Sequence, residues 1–233
     1  SAAGIGAHYS PLQLDALAEG GAGRLHDTET AEDIIDVVLG ELGEISNTVA
    51  RNVELHIRSP KGVRLECLSK MSQYRSGNLL HIKLGIMQLN LMKPVALHTF
   101  VSEYSKGKEL TFETYVTWED VDSGEQYRSA TVNSILRVVS SREAKKAEVN
   151  TEVVRKIADL WEASLAYKGM ILNEQNDFLG ATELYDQDMK CFSEFVEDLE
   201  DSDSRLNRHI LAAQRMGGEW NGRSKLQSFN LAK

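Results

Sequence analysis

The spacing of apolar residues changes twice along the chain and divides it into three segments. In residues 1–49, a short apolar start leads into stretches with helical spacing. From Asn52 apolar and polar residues alternate, and after residue 143 the helical spacing returns. Periods of about 3.6 and 2 residues are those of helices and strands that bury one face. The pattern therefore predicts an α+β protein with domains at 1–49, 50–142 and 143–233.

The first segment is predicted to contain a strand, a helix, a glycine-rich stop, a second strand and a second helix. Ser10 is placed to cap the first helix, with Pro11 at its first position, and Gly20-Gly21 ends it. The second helix is predicted over 30–48, with acidic residues in its first turn, where the helix dipole favours them. Its apolar residues indicate one face against a sheet: Ile34, Val37, Val38, Leu42 and Ile45. This order is that of the end of an open α/β sheet.

The middle segment is predicted to be an antiparallel β-sandwich. Residues 53–57 and 63–67 alternate in polarity around the turn Ser59-Pro60-Lys61-Gly62, which predicts a hairpin with one buried face. Several short strands separated by Gly-rich or Asp/Ser-rich turns are typical of a sandwich. The further strands are predicted over 79–84, 95–101, 110–118 and 127–139.

The last segment is predicted to form a helical hairpin with a third helix. The turn at 173–181 resembles the corner of tetratricopeptide-like hairpins, but no second copy follows. The acidic run 194–203 is interpreted as the solvated end of a helix, with a partner-binding patch as the alternative. The polar tail 220–227 is expected to fray or dock weakly.

The first segment resembles the last third of a von Willebrand factor type A domain. The resemblance lies in Gly4-Ile5-Gly6, in the helix end Leu14-Asp15-Ala16-Leu17-Ala18 before Gly20-Gly21, and in Glu32-Asp33-Ile34. Bacterial proteins of this family often continue into a sandwich with motifs similar to Gly85-Ile86-Met87 and to the segment 117–125. The family's metal site uses Asp-x-Ser-x-Ser, a Thr loop and an Asp loop, and none of these motifs occurs in this chain. Magnesium is therefore expected only if preceding residues carry that site.

Composition and charge remove several classes of function. The formal net charge is −9 and the basic residues are scattered, which argues against nucleic-acid binding and against an anionic membrane surface. No apolar run approaches the length of a spanning helix. Cys67 and Cys191 are predicted to be buried, reduced thiols, which favours a cytoplasmic location, although an upstream signal would change that.

Histidines and acidic residues do not form a local metal motif. The 6 histidines show no His-x-x-x-His spacing, and those in strand patterns are expected to face solvent or to be hydrogen-bonded: His56, His81 and His98. Asp120, Asp122 and Glu125 are compared with a calcium loop, but they lack its ligand number and are interpreted as a solvated turn. No metal-ligating residue is predicted.

The sequence offers one weak candidate for a nucleophilic site and no nucleotide-binding motif. Ser10, His8 and Asp15 offer a nucleophile, a base and an orienting acid, but they lie within one turn of chain, and a helix cap explains Ser10 better. The chain contains no phosphate loop, dinucleotide fingerprint or Gly-x-Ser-x-Gly elbow. No catalytic or cofactor-binding residue is predicted.

The resemblance implies a non-catalytic interaction or scaffold protein. The alternative is an accessory subunit of an ATPase or metal-insertion complex, and a purely structural module is the third possibility. Since isolated two-stranded sheets are marginal in water, residues 1–49 are expected to need further strands. We expect these to come from a preceding portion absent from this chain or from a second copy.

Overall fold

The computed structural model describes residues 1–6, 9–21, 23–28, 30, 32–102, 106–144, 146–216 and 218. Residues 1–38 and 149–233 form one compact unit, and residues 39–148 form the other. The chain is α+β, as predicted. Its elements are β1 (Ala2–Ile5), α1 (Pro11–Gly20), β2 (Leu25–Thr28), α2 (Asp33–Ser46), β3 (Thr48–Arg58), β4 (Val63–Cys67), β5 (Gln73–Ser76), β6 (Leu79–Gln88), β7 (Leu97–Val101), β8 (Glu109–Asp120), β9 (Gln126–Arg128), β10 (Val132–Arg137), α3 (Ser141–Ala144), α4 (Thr151–Glu174), α5 (Phe178–Val196) and α6 (Ser202–Met216).

The unit of residues 39–148 contains two antiparallel sheets. One is 6-stranded, in the order β10-β8-β3-β6-β5 with β9 on the end of β8, and the other pairs β4 with β7. Apolar residues from both sheets form one core, since every second residue of a strand points to the same face. The buried residues of this core are Ile57, Val63, Leu65, Cys67, Leu80, Ile82, Leu110 and Phe112.

The predicted hairpin of residues 53–57 and 63–67 is wrong in its pairing. The turn forms as predicted, with Val63 N–H donating to the Pro60 carbonyl at 3.1 Å. However, β3 pairs with β6 and β8, while β4 pairs with β7 in the other sheet. The chain crosses from one sheet to the other at this turn, because both strands then bury their apolar faces in the shared core.

In the other unit, β1 and β2 form a parallel pair joined by α1, with Ala2 opposite Leu25. Leu25 is 2% exposed and packs with Met170 of α4, which is 1% exposed. The residues around this contact are partly buried: Ala2, Tyr9, Leu12, Leu14 and Tyr167. Helix α4 therefore covers the strand pair that the sequence predicts to be insufficient by itself.

The predicted C-terminal helices are confirmed as α4, α5 and α6. At the corner between α4 and α5, Asn176 has φ 61° and Asp177 caps α5 by accepting from Gly180 N–H at 2.9 Å. Phe192 and Val196 are fully buried with Ala158 and Leu199. Within the acidic run, Val196 and Leu199 are buried and the acids Glu194, Glu197, Asp198 and Glu200 are exposed, which supports a solvated helix end.

Arg205 is a buried cation within these helices. It is 3% exposed and forms ion pairs with Asp159 at 2.8 Å, Asp201 at 2.9 Å and Glu162 at 3.4 Å. Burial alone would lower its pKa, but hydrogen bonds to Asp159 and Asp201 outweigh burial and raise the pKa of Arg205. It therefore stays charged and ties α6 to α4 and to the connection between α5 and α6.

The structure tests two further predictions from the sequence, which concern the burial of the cysteines and the absence of a membrane-spanning helix. Cys67 is buried, as predicted, but Cys191 is exposed. Cys191 directly precedes the core residue Phe192 on α5, and adjacent helical positions point about 100° apart. Across the described residues, no helix combines the length and the apolarity that crossing a bilayer requires.

Candidate functional site

Helix α2 presents an apolar stripe that the described residues leave uncovered. The stripe is formed by positions three or four apart, so its residues lie on one side of the helix. None of the residues of α2 is buried. The exposed fractions are 65% for Ile35, 50% for Val38, 61% for Leu39, 56% for Leu42 and 68% for Ile45. An apolar face is present, but it is shifted from the predicted one: Val38, Leu42 and Ile45 belong to the stripe, whereas Ile34 and Val37 are half-buried. The sheet expected against it is not found among the described strands.

The β1–β2 pair is held by side chains at one end. Tyr9 donates to Asp27 Oδ1 at 2.7 Å, and the Thr28 hydroxyl donates to the Gly4 carbonyl at 3.1 Å. Burial, followed by the hydrogen bond to Asp27 and its charge, raises the pKa of Tyr9. The phenol therefore remains protonated and keeps donating. Only two strands, β1 and β2, belong to this sheet within the described chain.

The residues weighed as a nucleophilic set do not form one in the described part of the chain. Ser10 has extended backbone angles and its hydroxyl accepts from Gln13 N–H at 3.4 Å, so it caps α1 as predicted. Asp15 is buried on α1 at 5% exposure. His8 lies outside the described residues.

The loop compared with a calcium site is a hydrogen-bonded turn. Asp120 Oδ1 accepts from Asp122 N–H at 3.1 Å, from Ser123 N–H at 2.8 Å and from the Ser123 hydroxyl at 2.9 Å. The bonds from Ser123 lower the pKa of Asp120. Oδ1 of this carboxylate therefore accepts from donors of its own turn, as in an ordinary hydrogen-bonded turn.

A second candidate site lies on the outer face of the six-stranded sheet. His56 on β3 stands directly opposite His81 on β6 and opposite Tyr115 on β8, and His81 stands opposite Tyr74 on β5. Leu80, Ile82 and Ile57 face the core, so these four rings face the other way. The sequence predicts this outward orientation of His56 through its alternation with apolar residues.

The four rings form a continuous row across four strands. Tyr74 stacks on His81 with ring centroids 4.3 Å apart, and His56 stacks on Tyr115 at 4.5 Å. The two imidazoles meet edge to face at 4.9 Å. Arg128 lies over the Tyr115 ring at 3.9 Å. This covering leaves the side chains of His56 and His81 only 10% and 13% exposed.

Glu54 completes the site, two residues before His56 on the same face. Its Oε1 lies 2.8 Å from His81 Nδ1 and 3.9 Å from His56 Nδ1, and the two Nδ1 atoms are 3.1 Å apart. Among the described residues, this is the one group of three or more histidine, cysteine or acidic side chains whose ligand atoms converge. We call Glu54, His56 and His81 the triad.

Neighbouring hydroxyls orient the triad. Tyr74 donates to Glu54 Oε1 at 2.7 Å, and Thr117 Oγ1 lies 2.8 Å from His56 Nε2. Burial raises the pKa of Glu54, but the hydrogen bonds from Tyr74 and His81 and the charges of both histidines outweigh it, so the pKa falls below its usual value. Burial lowers the pKa of His56, against the opposing charge of Glu54. The site at neutral pH is therefore a carboxylate beside a neutral imidazole.

Sequence spacing does not reveal the triad because its histidines are 25 positions apart and belong to strands that are not consecutive. The sequence does indicate that Glu54 and His56 point to the same, outer face of one strand, because both alternate with apolar residues. Finding His81 needs the register of β3 against β6, which is set by the shared core rather than by local motifs.

A scan of protein-family models finds no match, and no curated protein sequence matches. Solved structures do. The chain is similar to a von Willebrand factor type A protein from Catenulispora acidiphila, with TM-score 0.56 and 13% identity over 87% of this chain and 49% of that chain. It is also similar to a human COPII-coat protein, with TM-score 0.51 and 11% identity over 91% of this chain and 32% of that one. The ArnB paralog VWA2 from Sulfolobus acidocaldarius matches with TM-score 0.41 and 11% identity over 94% of this chain and 56% of that chain.

The structural similarity confirms the predicted resemblance at the level of the fold. The similarity extends over most of this chain, including the sandwich and the helices, and not only over the N-terminal motifs. The chain spans about half the length of the Catenulispora chain and about a third of the human one.

Proposed function

We propose that this chain is a non-catalytic protein-interaction or scaffold module, and that the apolar stripe of α2 is its binding surface. The observation that carries the proposal is the exposure of five large apolar residues on one side of a single helix. Single exposed apolar residues are ordinary on protein surfaces, whereas a contiguous apolar patch marks an interaction site.

The occupant that best fits this surface is the apolar face of a β-sheet. A helix that follows a strand of a parallel sheet normally packs its apolar stripe on that sheet. Among the described residues, the β1–β2 sheet has two strands, and a sheet of that size is marginal in water without further strands. The strands would come from preceding residues of the same protein or from a second copy.

The charge around the stripe narrows the partner's chemistry. Asp33 and Asp36 lie in the first turn of α2, and its last turn contains no basic residue. The chain as a whole carries −9. A partner surface with an apolar centre and a basic rim would therefore complement α2, and its association rate would fall as salt screens the charges.

Sedimentation velocity over a wide concentration range, combined with binding of an apolar-surface dye, tests the proposal. The test variant is Leu39→Glu with Leu42→Glu. The matched control is Leu179→Glu with Leu211→Glu, since these leucines are also helical and 71% and 51% exposed. We expect the α2 variant to lose self-association or dye binding, and the control to keep both. Identical behaviour of the two variants would contradict the assignment of the surface.

The accessory-subunit alternative rests on the family resemblance alone and remains a prediction. Addition of the chain to a partner ATPase should change the rate of ATP hydrolysis if that alternative holds.

A further inference from the structure

We propose that the triad of Glu54, His56 and His81 binds one divalent transition-metal ion of the zinc class. The site lies on the outer face of the six-stranded sheet and involves none of the residues of the α2 stripe. The inference is therefore independent of the proposed interaction function.

The separations among the ligand atoms match those around a tetrahedral zinc ion. With zinc–nitrogen and zinc–oxygen bonds of about 2.0 to 2.1 Å, two ligands of a tetrahedron stand about 3.3 Å apart. In the triad, the corresponding separations are 2.8 Å, 3.1 Å and 3.9 Å. Movements of a few tenths of an ångström in two imidazoles and one carboxylate would equalise them.

A proton serves this arrangement less well than a metal ion. Nδ1 of His81 faces both Glu54 Oε1 and His56 Nδ1. A single proton on this nitrogen can form a well-aligned hydrogen bond with only one of the two acceptors. When His56 Nε2 carries its proton and donates to Thr117, the lone pair of His56 Nδ1 points into the triad. A cation bound between the three atoms accepts one lone pair from each of them at once.

The surroundings provide the orienting hydrogen bonds that metal sites use. Metal-ligating histidines usually donate their other ring nitrogen to a fixed acceptor, and ligating carboxylates are themselves hydrogen-bonded. Thr117 occupies the first role for His56, and Tyr74 occupies the second for Glu54. The buried Nε2 of His81 has no hydrogen-bond partner among the described residues. The ring of His81 is held in place by stacking on Tyr74 instead of by a hydrogen bond.

The donor set selects the class of metal. Two imidazole nitrogens and one carboxylate oxygen suit zinc and its first-row neighbours, whereas magnesium and calcium prefer oxygen ligands alone. Three protein ligands leave a fourth position open for water or another ligand. Glu54 keeps a side-chain exposure of 20%, which leaves a path from solvent to the site.

Titration of the chelator-treated chain with Co²⁺, followed by displacement with Zn²⁺, tests the proposal. We expect one equivalent of Co²⁺ to produce the visible absorption of a low-coordinate complex, Zn²⁺ to abolish it, and Mg²⁺ to leave it unchanged. His56→Ala and His81→Ala should each weaken binding at least about 100-fold, and Thr117→Val about 10-fold. His98→Ala, on β7 of the smaller sheet, is the matched control and should bind as the parent chain does.

A measurement on the unchanged chain protects the test against variants that fail to fold. In imidazole-selective NMR spectra, Zn²⁺ should shift the ring resonances of His56 and His81 and leave those of His98 in place. Absence of stoichiometric binding, or equal loss of binding in the His56→Ala and His98→Ala variants with both folded, would overturn the proposal. Zinc-induced shifts confined to histidines outside the triad would overturn it as well.

Discussion

The six-stranded sheet and the two-stranded β1–β2 sheet of this protein reach stability by different routes. The six-stranded sheet shares a core with the β4–β7 pair, in which Ile82 is 0% and Leu80 2% exposed. The β1–β2 pair depends on a helix, since Leu25 is buried against Met170 of α4. Strands in the first case are stabilised by other strands, and in the second by an element more than a hundred positions along the chain. Helix α2, which follows this pair in the chain, has no buried residue, and that helix is where we place the interaction surface.

The largest effect is expected in the core that the six-stranded sheet shares with the β4–β7 pair. Ile82→Ala should reduce the free energy of unfolding by about 4 kcal/mol, because it leaves a cavity in a fully buried position. Denaturant unfolding measures this loss. A loss below about 1 kcal/mol would show that the sandwich core collapses around the missing atoms and is less tightly packed than its burial indicates.

A somewhat smaller effect is expected at the helix that supports the strand pair. Met170→Ala should cost about 3 kcal/mol, and it should also selectively raise hydrogen exchange in β1 and β2, since their cover is removed. Hydrogen exchange read by mass spectrometry checks both units in one experiment. Unchanged protection of residues 2–5 and 25–28 would break the comparison, because the strand pair would then be stable without α4.

A substitution at the N-cap of α1, the helix that joins β1 to β2, tests how much this helix contributes to the stability of the strand pair. Ser10→Ala removes the acceptor for Gln13 N–H and should cost about 1 kcal/mol by destabilising the start of α1. Ser10→Asp is the matched control, because it restores an acceptor at the same position. Thermal unfolding of the three chains distinguishes them, and equal midpoints would show that the long 3.4 Å hydrogen bond contributes nothing.

The smallest effect on stability is expected for substitutions in the apolar stripe of α2, where we expect the largest effect on binding. Leu39→Glu with Leu42→Glu should change the free energy of unfolding by less than about 0.5 kcal/mol per substitution, because both side chains are more than half exposed. Denaturant unfolding checks this value alongside the association measurement. A loss of several kcal/mol would mean that the stripe is already packed within the chain, against our interpretation.

The features that the sequence predicts correctly are local ones. Ser10 and Pro11 mark the start of α1 through their immediate neighbours, and the apolar spacing of α4 to α6 follows from helical geometry alone. Pairing between strands is not local. The turn at 59–62 is predicted correctly, yet whether β4 returns beside β3 or crosses to another sheet depends on contacts with β7.

The same limit explains the candidate sites. The spacing of residues within α2 predicts that the helix has an apolar face. The same residues do not show which partner covers that face. The triad requires the register that sets His56 opposite His81, and this register is fixed by Ile57, Leu80 and Ile82 on the opposite side of the sheet. Outer-face chemistry is therefore determined by inner-face packing.

Hydrogen exchange of α2 tests the central claim most directly. In the dilute chain, we predict that the amides of residues 39–46 exchange much faster than those of α5, whose core-facing side is buried, and that they gain protection at high concentration or in a longer form of the protein. Slow exchange of these amides in the dilute monomer, unchanged by concentration or by added chain, would contradict the claim that the α2 stripe is an uncovered binding surface.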